Sequence, residues 1–260
     1  MATWLASTYA LFFAELRKNF LVWLRYPLQP VAGLLLLFAM FYALSFGLSR
    51  FPGLDAFSRG DPRVVVASFF CWVCAMGAIG HIAGELEEDA KIGVLEPLFL
   101  SRLRACEIIL VRSLASSSSG LALSFGVLWL LSWYSGARLA LGGNAILALV
   151  LLDLALSGLG LVMAGLSIVF KRISSLGPLL YLAAGTLLAS AVSLTPSDQR
   201  LRYPVVSAVE VFSRTVFDSA VSWQAAAMAA SWAVLTLLAC AAFLEWCTAY
   251  ARRRGSLAHY

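Results

Sequence analysis

The chain has 260 residues, of which 61% are apolar and only 13% charged, and its mean hydropathy is +0.86. A soluble domain averages about 45–50% apolar and about 25% charged residues, so this balance excludes one and leaves a polytopic membrane protein. The net charge of +5 reads as topology and lipid-headgroup contact, not as nucleic-acid binding.

From the N-terminus, Leu5, Tyr9, Phe12, Leu16, Phe20 and Trp23 recur at steps of three or four, with Ser7, Arg17, Lys18 and Arg25 on the opposite side. This predicts an interfacial helix over residues 1–27. No basic stretch precedes it and no small-x-small cleavage site follows, so it is not read as a signal peptide. Pro27 and Pro30 turn the chain into the first of six runs that match the roughly 20 apolar residues needed to cross about 30 Å of hydrocarbon. The six cover residues 28–48, 64–84, 113–134, 145–170, 173–194 and 221–246. All are expected as helices, because lipid offers their backbone groups no partner. The fold class is therefore all-α integral membrane.

In the second span, Cys71 and Cys74 spell C-x-x-C, but Phe69, Phe70, Trp72 and Val73 surround them with apolar side chains. A redox pair needs a thiolate stabilised at a polar helix terminus, so these thiols, like Cys240 and Cys247, read as packing. Gly77, Gly80 and Gly84 form a small-residue stripe, and Gly158 and Gly165 repeat at seven; both patterns let helices approach closely. Residues 85–112 form a charged elbow broken by Gly93 and Pro97. Glu85, Glu87, Glu88, Asp89, Lys91 and Glu96 prolong the second helix as a charged end, and Leu95, Leu98 and Phe99 offer apolar anchors of the kind that dominate interfaces.

The third span carries Ser116 to Ser119, which suit close helix packing or the wall of a translocation path. In the fourth, Asp153 is the one ionisable residue well inside a span, and such residues are functional candidates. It is read as a proton relay, a polar contact for substrate, or a carboxylate satisfied by a neighbouring helix. Phe69, Trp72 and Tyr181 join it as candidates for an apolar substrate path. Residues 196–220 hold a short amphipathic segment with Val205, Val209, Phe212 and Val216 on one side, expected to be an outer gate whose apolar face places the exit at the outer leaflet.

Basic residues near span ends stay on the cytoplasmic side. With both termini inside, Arg17, Lys18, Arg25, Lys91, Arg102, Arg104, Arg112, Lys171, Arg172 and the run Arg252 to Arg254 all lie there. The sequence contains no G-x-S-x-G elbow, no H-E-x-x-H and no G-x-x-x-x-G-K-[ST] P-loop, so no enzymatic site or Walker-type ATPase is expected on this chain. Zinc has only His81 and His259 to call on, without ligand spacing. Glu87-Glu88 beside His81 touches the pattern of CAAX-processing proteases, E-E-x-x-x-R, but Ile92 stands in the Arg position and the later spans hold no His.

Three landmarks in order carry a resemblance. Arg25-Tyr26-Pro27 opens the first span. After the second come Glu88 or Asp89, then Gly93, Val94, Leu95, Glu96, Leu98, Ser101, Leu103 and Glu107, and before the last span stand Tyr203-Pro204-Val205, Glu210 and Arg214. Over essentially its whole length the chain resembles the ABC-2 family of ATP-binding-cassette permeases, which export drugs, lipids and glycans; Arg102 replaces the family's usual Pro. The resemblance implies a non-catalytic permease in the bacterial inner membrane, paired with a second copy or a homologue. A separate ATPase subunit, holding ATP and Mg, would dock beneath Glu85, Glu87, Glu88, Asp89, Lys91, Gly93, Leu95, Glu96, Leu98 and Phe99. It also implies an outer gate around Pro204, Glu210, Phe212 and Arg214. The rival expectation is a proton-coupled secondary transporter centred on Asp153, although no inverted repeat is visible.

Overall fold

A computed structural model describes residues 2–48, 61–91, 105–170, 177–192, 198–218 and 222–253. Among them every regular element is helical: α1 Ala2–Arg25, α2 Leu28–Leu48, α3 Pro62–Lys91, α4 Ala105–Ser135, α5 Gly143–Phe170, α6 Gly177–Ala191, a 3₁₀ turn Arg200–Arg202, α7 Val206–Asp218 and α8 Trp223–Arg253. Four stretches are long and apolar enough to cross a membrane: Pro62–Leu86, Cys106–Ser135, Gly143–Phe170 and Trp223–Ala251. α1 and α2 meet at an 80° bend around Pro27 and pass the same test only as a pair. α6 has 15 residues, about 22 Å of helix at 1.5 Å per residue, and residues 171–176 and 193–197 beside it lie outside the described set.

Local chemistry sets the helix ends. Pro62 occupies the first position of α3, where its missing N–H costs nothing, and Asp61 caps it by accepting the Arg63 N–H at 2.8 Å. The Arg63 guanidinium also donates to this carboxylate at 2.8 Å. The side-chain bond first, then the backbone bond, hold the Asp61 carboxyl below its ordinary value. α4 stops at Ser135 because Gly136 follows with φ 68°, the left-handed helix terminus that a residue without Cβ adopts at least cost.

α5 is the central post, with fifteen of its 28 residues buried, packed against α3, α4, α7 and α8. Gly158 faces Thr236 and Cys240 of α8, and Gly165 faces Phe243 and Cys247. Both numbers rise together, so α5 and α8 run parallel. On the other side Gly160 lies against Ala78 and Ile82. α6 runs antiparallel to α3, since Ser68 donates to the Ala189 carbonyl at 3.1 Å while Gly185 abuts the Trp72 ring. The larger core surrounds Phe70, Leu128, Leu131, Leu152 and Phe212, and a smaller one closes the other end around Ile109, Leu161 and Leu244. α2 reaches the bundle through Phe41 on Phe69, 5.1 Å between ring centres, and Phe38 on Tyr134, 6.3 Å. Its Leu28, Val31, Leu35 and Leu36 are exposed.

α1 lies along α4, and its inward side coincides only in part with the apolar stripe expected of it. Asn19 reaches Ser119 at 3.4 Å and Glu15 reaches Arg112, whereas Tyr9, Phe13, Phe20 and Leu24 point outward. Phe12, Leu16 and Trp23 of the expected stripe are half-buried on the same side as Glu15 and Asn19, and Arg17, Lys18 and Arg25 are exposed.

Candidate functional site

Where α1, α3 and α4 converge, one guanidinium serves three carboxylates. Arg112 Nε is 3.4 Å from Glu15 Oε1, Nη2 is 3.8 Å from Glu85 Oε2, and Nη1 pairs with Asp89 Oδ2. The Arg112 side chain is 13% exposed, so solvent screens these ion pairs weakly. Lys18 pairs with Glu15, and His81 Nδ1 lies 3.8 Å from Glu85 Oε1. The arrangement turns Glu85 and Asp89 toward the bundle; of the expected docking carboxylates among the described residues, Glu88 is the exposed one. For Glu87 and Lys91 only the backbone, within α3, is described, and Gly93, Leu95, Glu96, Leu98 and Phe99 lie outside the described residues.

Two cavities run along the seam between α3 and α4. The wider, about 680 Å³, is bordered by the charge cluster together with Lys18, Asn19, Tyr26, Gly80, Gly84 and Ser119. The narrower, about 200 Å³, lies deeper and reaches Asp153 and Ser157 of α5, with Phe70, Val73 and Val127 on its apolar walls. His81, Ser116, Gly120 and Leu123 border both, so the two cavities adjoin along α3 and α4. In the narrower one, the Ser117 and Ser157 hydroxyls are 3.2 Å apart and Ser157 donates to the Asp153 backbone carbonyl at 2.9 Å. Ser113, 3% exposed, lines the same cavity with its hydroxyl unpartnered.

The glycine stripe of α3 borders these cavities. A Cβ at Gly77 or Gly84 would meet nothing within 4 Å, so these glycines open space where close helix contact was expected. The serine run of α4 supplies hydroxyls to the same space, except Ser118, which is exposed and bonded back to the Leu114 carbonyl at 2.7 Å. Phe69 and Trp72 lie elsewhere: Phe69 stacks edge-on against Phe41, and Trp72 presses on Gly185 of α6. The structure therefore does not join them to Asp153. The Tyr181 side chain lies outside the described residues. Sequence reasoning did not connect Asp153 with Ser117, Ser157 and His81; no spacing links positions on three helices, and only the intramembrane charge itself was a signal.

At the far side, α7 is buried on nearly every face rather than along one apolar stripe. Glu210, 1% exposed, accepts Arg214 Nε at 2.9 Å and Arg200 Nη1 at 3.5 Å. Arg214 also bonds Asp198 at 3.1 Å, and Arg200 donates to the Ala191 carbonyl of α6 at 2.9 Å. Burial disfavours the Arg214 cation, but the bonds to Glu210 and then Asp198 outweigh it and hold the guanidinium above its ordinary value. Phe212 stacks on Phe70 at 5.5 Å, and Pro204 sits in the turn before α7, where Val205 takes φ 64°, an uncommon conformation for a β-branched residue.

No group of three or more His, Cys, Asp or Glu among the described residues is placed to hold a metal ion. Fold and cavities together define an all-helical protein with membrane-length apolar helices and a hydroxyl-lined cavity that reaches Asp153. No family profile, no curated protein and no solved structure matches the chain.

Proposed function

We propose that this chain is the permease subunit of an ATP-binding-cassette exporter of the ABC-2 type, a six-span half-transporter that pairs with a second copy or a homologue. It moves amphiphilic or hydrophobic cargo out of the cytoplasm, powered by a separate ATPase subunit. The observation that carries this reading is the way α3 and α4 meet. Each is about twice the length of α6, α3 ends in acidic residues beyond its apolar stretch, and Arg112 clamps both helices to α1. Residues 85–112, the coupling segment of this proposal with the ATPase dock from Glu85 to Phe99, join two such helices directly. A push on that link would be delivered to α3, α4 and the path between them, switching access from one side to the other.

The six-span count is supported by helix direction. α5 and α8 run parallel, so the chain between them must return across the membrane, and α6 is the helix available to do so. The exposed apolar sides of α2 and α8 suit lipid or a second copy. The test is an ATPase assay on the chain reconstituted with its P-loop partner: Glu88→Lys and Glu96→Lys are expected to abolish the stimulation of hydrolysis by the permease. Stimulation equal to the parent complex in both variants would sink the docking assignment.

A second reading, a proton-coupled secondary transporter, is favoured by the placement of Asp153 and His81 on one cavity. Under it, flux would follow a pH gradient without nucleotide.

A further inference from the structure

The deeper cavity has a composition that the transport reading does not explain. It is lined by Leu37, Phe70, Val73, Leu123 and Val127 and by five serines, at 113, 116, 117, 124 and 157, together with His81 and Asp153. Among the described residues no Lys or Arg pairs with this carboxylate. A carboxylate removed from water and left without a counter-charge is costly. Ser113 adds a second, independent observation, a buried hydroxyl without a partner, which is costly to leave so. Both groups border the same space of about 200 Å³, and both are satisfied by a ligand that donates hydrogen bonds and carries positive charge.

We propose that this cavity binds a protonated amine carried on an apolar body: the ammonium donates to Asp153 and to the Ser113 hydroxyl, and the hydrocarbon lies along Phe70, Val73 and Leu123. An anion would meet Asp153 with repulsion, and a neutral lipid tail would leave both polar groups unsatisfied. A bare metal ion would have no use for the apolar wall. The wider cavity, bordered by Glu85, Glu88 and Asp89 together with Lys18 and Arg112, adjoins this one at His81 and Ser116. This names the cargo class of the exporter proposed above and rests on that reading for its role in transport; binding itself needs no ATPase.

The experiment uses the purified full chain in lipid nanodiscs, tritiated n-octylamine as probe, n-octanol as its uncharged match and empty nanodiscs as background. Saturable octylamine binding is expected. Loss of the charged contact in Asp153→Asn is expected to weaken it about tenfold or more, and Ser113→Ala to weaken it severalfold. Leu123→Trp, which fills the cavity, is expected to remove it. Octanol retention should not change in Asp153→Asn. Octylamine held no better than octanol, or held equally by the parent chain and monodisperse Asp153→Asn, overturns the proposal. Where Asp153→Asn does not fold, unchanged binding in both Ser113→Ala and Leu123→Trp overturns it equally. A failed binding assay leaves the ATPase response untouched, and a failed ATPase response leaves binding untouched, so the two ideas fall separately.

Discussion

Glycine packing is decided one residue at a time. At Gly160 an added Cβ would lie 2.3 Å from the Ala78 carbonyl oxygen and 2.7 Å from Ile82 Cδ1, whereas at Gly158 nothing comes closer than 3.6 Å. The Ala78 oxygen belongs to backbone and cannot rotate away. Gly160→Ala is therefore expected to destabilise the protein by about 1–3 kcal/mol, and Gly158→Ala to stay within about 0.5 kcal/mol. Thermal unfolding of both variants in detergent checks the difference; equal midpoints would show that α3 and α5 are not in this contact. The seven-residue repeat of Gly158 and Gly165 was legible in the sequence, and it meets an equal repeat of Cys240 and Cys247. The stripe from Gly77 to Gly84 was legible as small but not as open, because a run of small residues does not say whether a helix or a cavity lies against it. Asp153 stood out by its charge alone, while the hydroxyls that share its cavity come from α4 and from one turn further along α5.

Helices α1, α3 and α4 are held at one end by Arg112. Replacing it with Leu leaves Glu15, Glu85 and Asp89 facing one another in a site shielded from water, a change expected to cost about 3–5 kcal/mol. Limited proteolysis should then cut within α1 earlier than in the parent chain, and Arg112→Lys, which keeps the charge but loses the fork, should fall between. Unchanged α1 protection in Arg112→Leu would show that the cluster does not anchor that helix. The elbow's charge was legible, yet its direction was not: Glu85 and Asp89 read as outward-facing because their partner lies 23 or more positions away on another helix. α7 shows the same limit. Its polar residues look like a solvated face, but Ser213 and Thr215 donate to their own helix at Val209 and Val211, 2.8 and 2.7 Å. Hydroxyls satisfied in this way can be buried without outside partners, and Glu210 is buried because two arginines meet it.

Across the whole molecule, composition alone fixed the class, since six apolar runs in a chain with few charges permit little else than a helical bundle in lipid. Helix direction, the bend between α1 and α2, and the cavities along α3 and α4 depend on contacts between distant positions and became visible only in three dimensions. What unites these features is a long pair of helices joined by a charged link at one end and lined by a cavity along its length. If that pair is the lever of an ATP-driven exporter, a P-loop subunit must bind the link. The direct measurement is co-purification of the tagged chain, in detergent, with its genomic neighbours expressed. A P-loop ATPase retained by the parent chain and lost with Glu96→Lys is the expected result. A chain that purifies alone and, once reconstituted, carries flux driven by a proton gradient would contradict it and move the mechanism to Asp153.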